Sequence, residues 1–194
     1  MTSESLALRP ELPSNSQLSL SSAIQLSPIT PLFPSKLAID DFNASHTDQI
    51  MALLCELKDH GSGKDMFLSW EIFQEKLAGI MDYSIKVIEE NSTVLGFITY
   101  SKAMLSEDFY ELHWMAVKPS CRSRGFGRKL IEEMEQHVRS NGGKAIILDT
   151  FSSSNYDAAR HLYEKLGYKL FAKLENYYSK GIHQLIYKKD LDSK

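Results

Sequence analysis

No run of about 18 apolar residues occurs anywhere in this 194-residue chain, so a membrane-spanning helix is excluded. Cysteine is scarce. Cys55 and Cys121 lie far apart and give neither a disulfide framework nor metal-ligand spacing, so they read as thiols of a reducing, cytoplasmic compartment. The six histidines contain no H-x-x-x-H pair, and no metal site is expected. A surplus of basic charge is missing too. The formal net charge is −3, which leaves no clustered positive surface for nucleic acid, although one basic turn can still hold a phosphate. What remains is an ordinary globular composition, 43% hydrophobic and 24% charged, enough to bury one real core.

Glycine, tyrosine and charge are absent or rare in residues 1–35. This stretch holds five of the six prolines, many serines and only Glu4, Arg9 and Glu11 as charges. Too little apolar surface is available there to offset the entropy of ordering, so Met1 to Ser35 is expected to be a disordered Ser/Pro-rich tail. A targeting peptide is the rival reading. The stretch lacks the repeated arginines of a transit peptide and the basic start and apolar block of a signal peptide. Residues 36–194 then form one domain.

From Lys36 onward the periodicities become legible. Leu37 to Phe42 suits a short strand. Ser45 or Thr47 can cap a helix that puts Ile50, Leu53, Leu54 and Leu57 on one face and ends at Gly61. Ser69 can cap a second helix, with Ile72, Phe73 and Leu77 inward, stopped near Gly79. Tyr83 to Glu89 and Val94 to Tyr100 alternate around the polar turn Glu90-Asn-Ser-Thr93, the pattern of an antiparallel hairpin.

Phe109 to Val117 is the next strand, closed by Pro119. A helix follows from about Gly127, with Leu130, Ile131, Met134 and Val138 as its buried stripe, and Asn141-Gly-Gly143 ends it. Lys144 to Asp149 is nearly all apolar, as strands covered on both faces are. Strand, helix and covered strand imply a right-handed parallel crossover. A last helix from about Asn155 to Leu166 stops at Gly167, and strands at Tyr168–Leu174 and His183–Tyr187 complete the chain. The fold class is α/β, a mixed central sheet of six to seven strands with helices on both faces.

Between Val117 and Leu130 stands Lys-Pro-Ser-Cys-Arg-Ser-Arg-Gly-Phe-Gly-Arg-Lys. Gly125 and Gly127 let backbone approach a ligand closely, and the helix that follows offers unpaired N–H groups and the positive end of its dipole. Arg122, Arg124, Arg128 and Lys129 add charge-assisted donors, so an anion site is expected. A dinucleotide fingerprint would need glycine where Leu130 stands, and a P-loop needs Gly-Lys-Ser/Thr. The plainer reading is a solvated basic turn.

Two blocks decide between them. Arg122-x-x-Gly125-x-Gly127 follows an apolar strand ending Ala116-Val117-Lys118-Pro119. Asn155 precedes Ala159-Arg-His-Leu-Tyr163-Glu-Lys-Leu-Gly167-Tyr168. From Glu111 to Tyr168 the chain therefore resembles the GNAT superfamily of N-acetyltransferases, whose acyl-CoA motif is Q/R-x-x-G-x-G/A. The resemblance implies a V-shaped splay between the two parallel middle strands. Acetyl-CoA would be the acyl donor, its pantetheine arm paired with backbone of Met115, Ala116 and Val117 and contacting Asn155, which can also cap the last helix. Its pyrophosphate would rest on amides from Arg122 through Ser123, Arg124, Gly125, Phe126 and Gly127 to Arg128.

Tyr163 matches the family tyrosine that gives a proton to the departing thiolate, and a phenol of pKa about 10 is protonated at neutral pH. The alternative is an aromatic on a buried stripe with Leu162 and Leu166. Glu111 stands where several family members keep a base for the amine. His113, on the same side of an ideal strand, and Asp149 are alternatives, and a water chain is another. Trp114, opposite Glu111, reads as core. Tyr177 and Tyr178 fall in a loop before the last strand, on the acceptor side in some relatives. The implied activity is transfer of acetyl to a primary amine, of a small metabolite or of a peptide. A non-catalytic acyl-CoA-binding module is the competing class. The acceptor's identity, and whether the chain is monomeric or homodimeric, are not written in these residues.

Overall fold

Asn91 and Ser92 take positive φ, 51° and 62°, the two-residue turn whose twist matches antiparallel strands. They join β2 (Ser84–Glu90) to β3 (Thr93–Lys102), the hairpin expected from the alternation. The structure is a computed structural model and describes residues 36–57 and 63–191. Its other strands are β1 (Leu37–Asp41), β4 (Phe109–Val117), β5 (Ala145–Phe151), β6 (Lys169–Ser179) and β7 (Ile182–Asp190). Four α-helices accompany them among the described residues: α1 (Thr47–Leu57), α2 (Gly63–Leu77), α3 (Phe126–Ser140) and α4 (Asp157–Lys165). The strands form one seven-stranded sheet in the order β1-β2-β3-β4-β5-β7-β6. β4 and β5 run parallel, and every other neighbouring pair is antiparallel.

Each face of the sheet has its own core. On one, α3 buries Leu130, Ile131, Met134 and Val138 completely against Ile98, Tyr100, Leu112, Ile146 and Leu148. On the other, Ile50, Leu53 and Leu54 of α1 and Phe73 of α2 pack on Val87, Phe97 and Ala116. Phe73 meets Phe97 edge-on at 5.1 Å. Full burial of one such side chain is worth about 1.5–3 kcal/mol, so both helical layers are held by area rather than by polar contacts.

Two helix starts differ from expectation. Asn43, rather than Ser45 or Thr47, caps the short 3-10 turn leading into α1. Its side chain accepts from the Ser45 amide at 3.0 Å while its own amide donates to His46 Nδ1 at 3.2 Å. α2 begins at Gly63, which leaves Ser69 fully buried in mid-helix instead of capping it. The Gly61-Ser-Gly63 run reads as a breaker and hides that first turn and a half. Gly61, the expected end of the first helix, lies outside the described residues, as does the expected tail over residues 1–35.

The course of β4 positions the site. Its pairing with β3 runs from Gly96↔Val117 to Thr99↔Trp114, and then Tyr100 meets Leu112, so His113 is an extra, bulged residue. Leu112 and Met115 consequently both face the α3 core, while Trp114 and Ala116 face α1 and α2. Glu111, next to Leu112, thus shares a face with Trp114. An ideal strand would have opposed them. Parallel pairing of β4 with β5 covers Phe109↔Ala145 to Leu112↔Leu148 and then stops. From His113 and Asp149 onward the two strands diverge, the splay that the resemblance implied.

Candidate functional site

A helix leaves its first amides without intrahelical partners, and here nothing else in the backbone claims them. Among the described residues, the amides from Ser123 to Arg128 find no backbone carbonyl, whereas the Arg122 amide donates to Pro119 O at 3.3 Å. Among the described residues, Arg122 is therefore the member of the expected cradle whose N–H a backbone carbonyl engages. Gly125, the N-cap of α3, has φ +84°, and a Cβ built there would meet nothing within 4 Å. Gly127 has a different task. Its Cβ would come within 3.1 Å of Leu162 Cδ2, so it lets α3 pack closely on α4.

The arginine side chains point elsewhere than a simple basic collar suggests. Arg124 lies over the Phe126 ring at 4.7 Å and pairs with Glu90 at 3.6 Å, and Arg128 pairs with Glu132 at 3.3 Å. Such exposed pairs contribute about 0.2–1 kcal/mol, so either arginine can turn to an anion at little cost. No acidic residue occupies the first turn of α3 to oppose the helix dipole. The turn thus offers an anion its backbone amides first and its side chains second.

Beyond the splay stands Tyr163 of α4, buried, its ring 6.1 Å from those of Tyr168 and Tyr187. Burial, and secondarily the charge of Asp149, pushes its phenol well above the usual 10. The group stays protonated at any physiological pH, the state a proton donor needs. His113 puts Nε2 2.8 Å from Ser101 Oγ and its ring edge-on to Tyr83 at 5.3 Å. Burial holds its pKa below 6.5 against the opposing pull of Glu111 and Asp149, so the imidazole is neutral at pH 7. Glu111 and Asp149 therefore both act on the same histidine, one from each strand of the splay.

Asn155 sits exposed in the 3-10 turn Ser154–Tyr156. It does not cap α4, whose N-cap is Tyr156 with no side-chain cap bond. The loop is tied down by Arg160 instead, whose guanidinium donates to Phe151 O and, at 2.9 Å, to Ser153 O, and pairs with Asp157.

Asp149, Tyr177 and Tyr178 are candidates by type alone, and their convergence with Gln184 and Phe151 at the end of β5 has no local signal. Tyr178 donates to Asp149 Oδ2 at 2.7 Å and Gln184 Nε2 donates to the same oxygen at 2.9 Å. Phe151 stacks on Tyr178 at 3.9 Å and on Tyr156 at 4.8 Å. Tyr177 and Tyr178, expected in a loop, belong to β6, which runs five residues further than its apolar portion suggested. A four-residue bulge opposite His183, with Asn176 at φ 55°, produces this arrangement, and no local pattern announces it.

The model of the acetyltransferase (GNAT) family matches residues 47–168. N-acetyltransferase YhfO of Bacillus subtilis (strain 168), itself uncharacterized, is 32% identical over 89 residues, 44% of this chain and 58% of that protein. L-amino acid N-acyltransferase MnaT of Escherichia coli (strain K12) is 29% identical over 94 residues, 47% of this chain and 54% of that protein. The chain thus spans little more than half the length of the curated relatives it matches. A crystal structure from Desulfovibrio desulfuricans, described as of the GNAT family, superposes with a TM-score of 0.75 at 23% identity, covering 81% of this chain and all of that one. With the splayed parallel pair, the glycine turn and a family match over more than half of its residues, the chain belongs to the acetyltransferase (GNAT) family.

Proposed function

We propose that the protein is an acetyl-CoA-dependent N-acetyltransferase that moves acetyl to the primary amine of a small metabolite by direct attack in a ternary complex. The observation that carries this reading is the parting of β4 and β5 after Leu112↔Leu148, with the unclaimed amides of Ser123 to Arg128 beside it. Those amides take the pyrophosphate. Pantetheine runs along the unpaired edge of Met115, Ala116 and Val117, with Asn155 at its flank, and a β4 N–H polarises the thioester carbonyl.

The amine nitrogen attacks the carbonyl carbon and the carbon–sulfur bond breaks, so one proton must leave the nitrogen and one must reach the sulfur. Glu111 accepts the amine proton, directly or through water, Tyr163 supplies one to the departing thiolate, and exchange with solvent then returns a proton to Tyr163 and removes one from Glu111. The neutral His113 beside Glu111 avoids pinning that carboxylate in an ion pair. The acceptor named for the Escherichia coli relative, an L-amino acid, supports a small metabolite rather than a protein. The two free thiols, Cys55 and Cys121, support a reducing, cytoplasmic setting.

The test is calorimetric titration with acetyl-CoA, followed by an amine library read out by free CoA release. Binding with turnover of at least one small amine is expected. Absence of acetyl-CoA binding would overturn the reading.

A further inference from the structure

Resting on that transferase reading, we infer that the acceptor carries a second cationic group beside its reacting amine, a diamine-type substrate, and that Asp149 with the Phe151–Tyr178 aromatic pair holds that second charge. Asp149 stands at the first position where β5 leaves β4, with an exposed side chain on the face opposite α3. Among the described residues its two side-chain donors, Tyr178 OH at 2.7 Å and Gln184 Nε2 at 2.9 Å, meet the same oxygen, Oδ2. A carboxylate offers about four lone-pair sites over two oxygens, so capacity for an ammonium remains.

The aromatic pair is the second, independent observation. Phe151 and Tyr178 lie nearly parallel at 3.9 Å, continuing to Tyr156 on one side and Tyr177 on the other. Next to the carboxylate, the outer edges of this stack cover the methylenes that lead to an ammonium held by Asp149. The surrounding field has the same sign. Carboxylates of Glu111 and Asp149 act on His113, Glu75 and Glu111 act on Tyr83, and Asp149 acts on Tyr178. An acceptor with a free carboxylate, such as the amino acid named for the Escherichia coli relative, meets repulsion here. The division of labour follows. Glu111 serves the amine that must become neutral, and Asp149 holds the one that stays charged.

Three four-carbon acceptors test this in the full-length protein: 1,4-diaminobutane, 1-aminobutane and 4-aminobutanoate, compared by kcat/KM from CoA release. The expected order is diamine, monoamine, amino acid. The diamine should lead the amino acid by about tenfold or more, beyond the statistical advantage of two equivalent amines. In Asp149→Asn, with folding checked by thermal melting, the ratio should shrink towards one whatever happens to the individual rates. Tyr178→Phe should shrink it partially. An amino acid turned over as well as the diamine, or a ratio unchanged in Asp149→Asn, overturns the diamine assignment while leaving the transferase reading standing. Acetyl-CoA binding without turnover of any of the three overturns the diamine assignment alone. Failure to bind acetyl-CoA overturns both.

Discussion

At the α3 end of the cleft the groups left without backbone partners among the described residues are amides, fixed by a left-handed glycine and a helix start. At the β6–β7 end they are side chains brought from three strands, with Asp149, Tyr178 and Gln184 sharing one carboxylate oxygen. The first kind of site depends on conformation and on open space at its glycine, and little on the arginines, since Arg124 and Arg128 turn to Glu90 and Glu132. The second depends on identities and on long-range register. A fold built this way can keep one donor while changing acceptors.

The sharpest way to break the comparison is to alter Gly125. At φ +84° a valine brings backbone strain of order 1–3 kcal/mol as well as bulk, so Gly125→Val should lose both stability and acetyl-CoA affinity. Gly125→Asn separates the two, because asparagine tolerates the left-handed region. Its melting temperature should stay near wild type while affinity falls by about a hundredfold or more in calorimetry, the loss of two hydrogen bonds to a charged phosphate. Normal affinity in the asparagine variant would show that the turn is not the anion site. Tyr163→Phe comes next. kcat should fall by roughly tenfold to a thousandfold with little change in KM for acetyl-CoA, the signature of a lost general acid. Steady-state kinetics showing an unchanged kcat would return Tyr163 to the core.

Gly96→Ala probes the scaffold common to both ends. A Cβ there would stand 2.6 Å from Ala116 O, so the cost should be about 1–3 kcal/mol or more, seen in denaturant unfolding. The smallest effect concerns His113. Its folded pKa lies below its unfolded 6.5, so between the two values the unfolded chain binds more protons. Its neutral form therefore supports the fold fully above about pH 6.5, and stability declines as the pH falls below that value. His113→Gln should flatten that decline between pH 7 and pH 5 in thermal melts. An equally steep decline in the variant would mean that other groups set it.

The same contrast explains what could be read from the chain. The stripe Leu130, Ile131, Met134, Val138, the hairpin and the glycine turn are local patterns, and each lies where its spacing says. Seven strands fall within the expected six to seven, and helices cover both faces. Ser69 misled because a serine before an apolar run resembles a cap, while the true start is hidden by glycines. Simple alternation opposes Trp114 to Glu111 because it assumes an unbroken strand, and a bulge leaves no mark in composition. Asp149, Tyr178 and Gln184 come together across 29 and 35 residues, beyond any periodic signal. The roles of Glu111, Tyr163 and Asn155 come from the family resemblance, and the Tyr163→Phe kinetics test the second of them.

The extra residue at His113 sits one position past Leu112↔Leu148, where the parallel ladder stops. A bulge bends and over-twists its strand, so this insertion steers the rest of β4 away from β5. Remove it and the strand keeps its inward and outward assignments, since the surplus residue carries no phase, but it loses the bend. The ladder could then zip on towards Val117 and seal the groove. One codon thus separates a closed wall from an entrance, and the same codon sets an uncharged imidazole on the threshold.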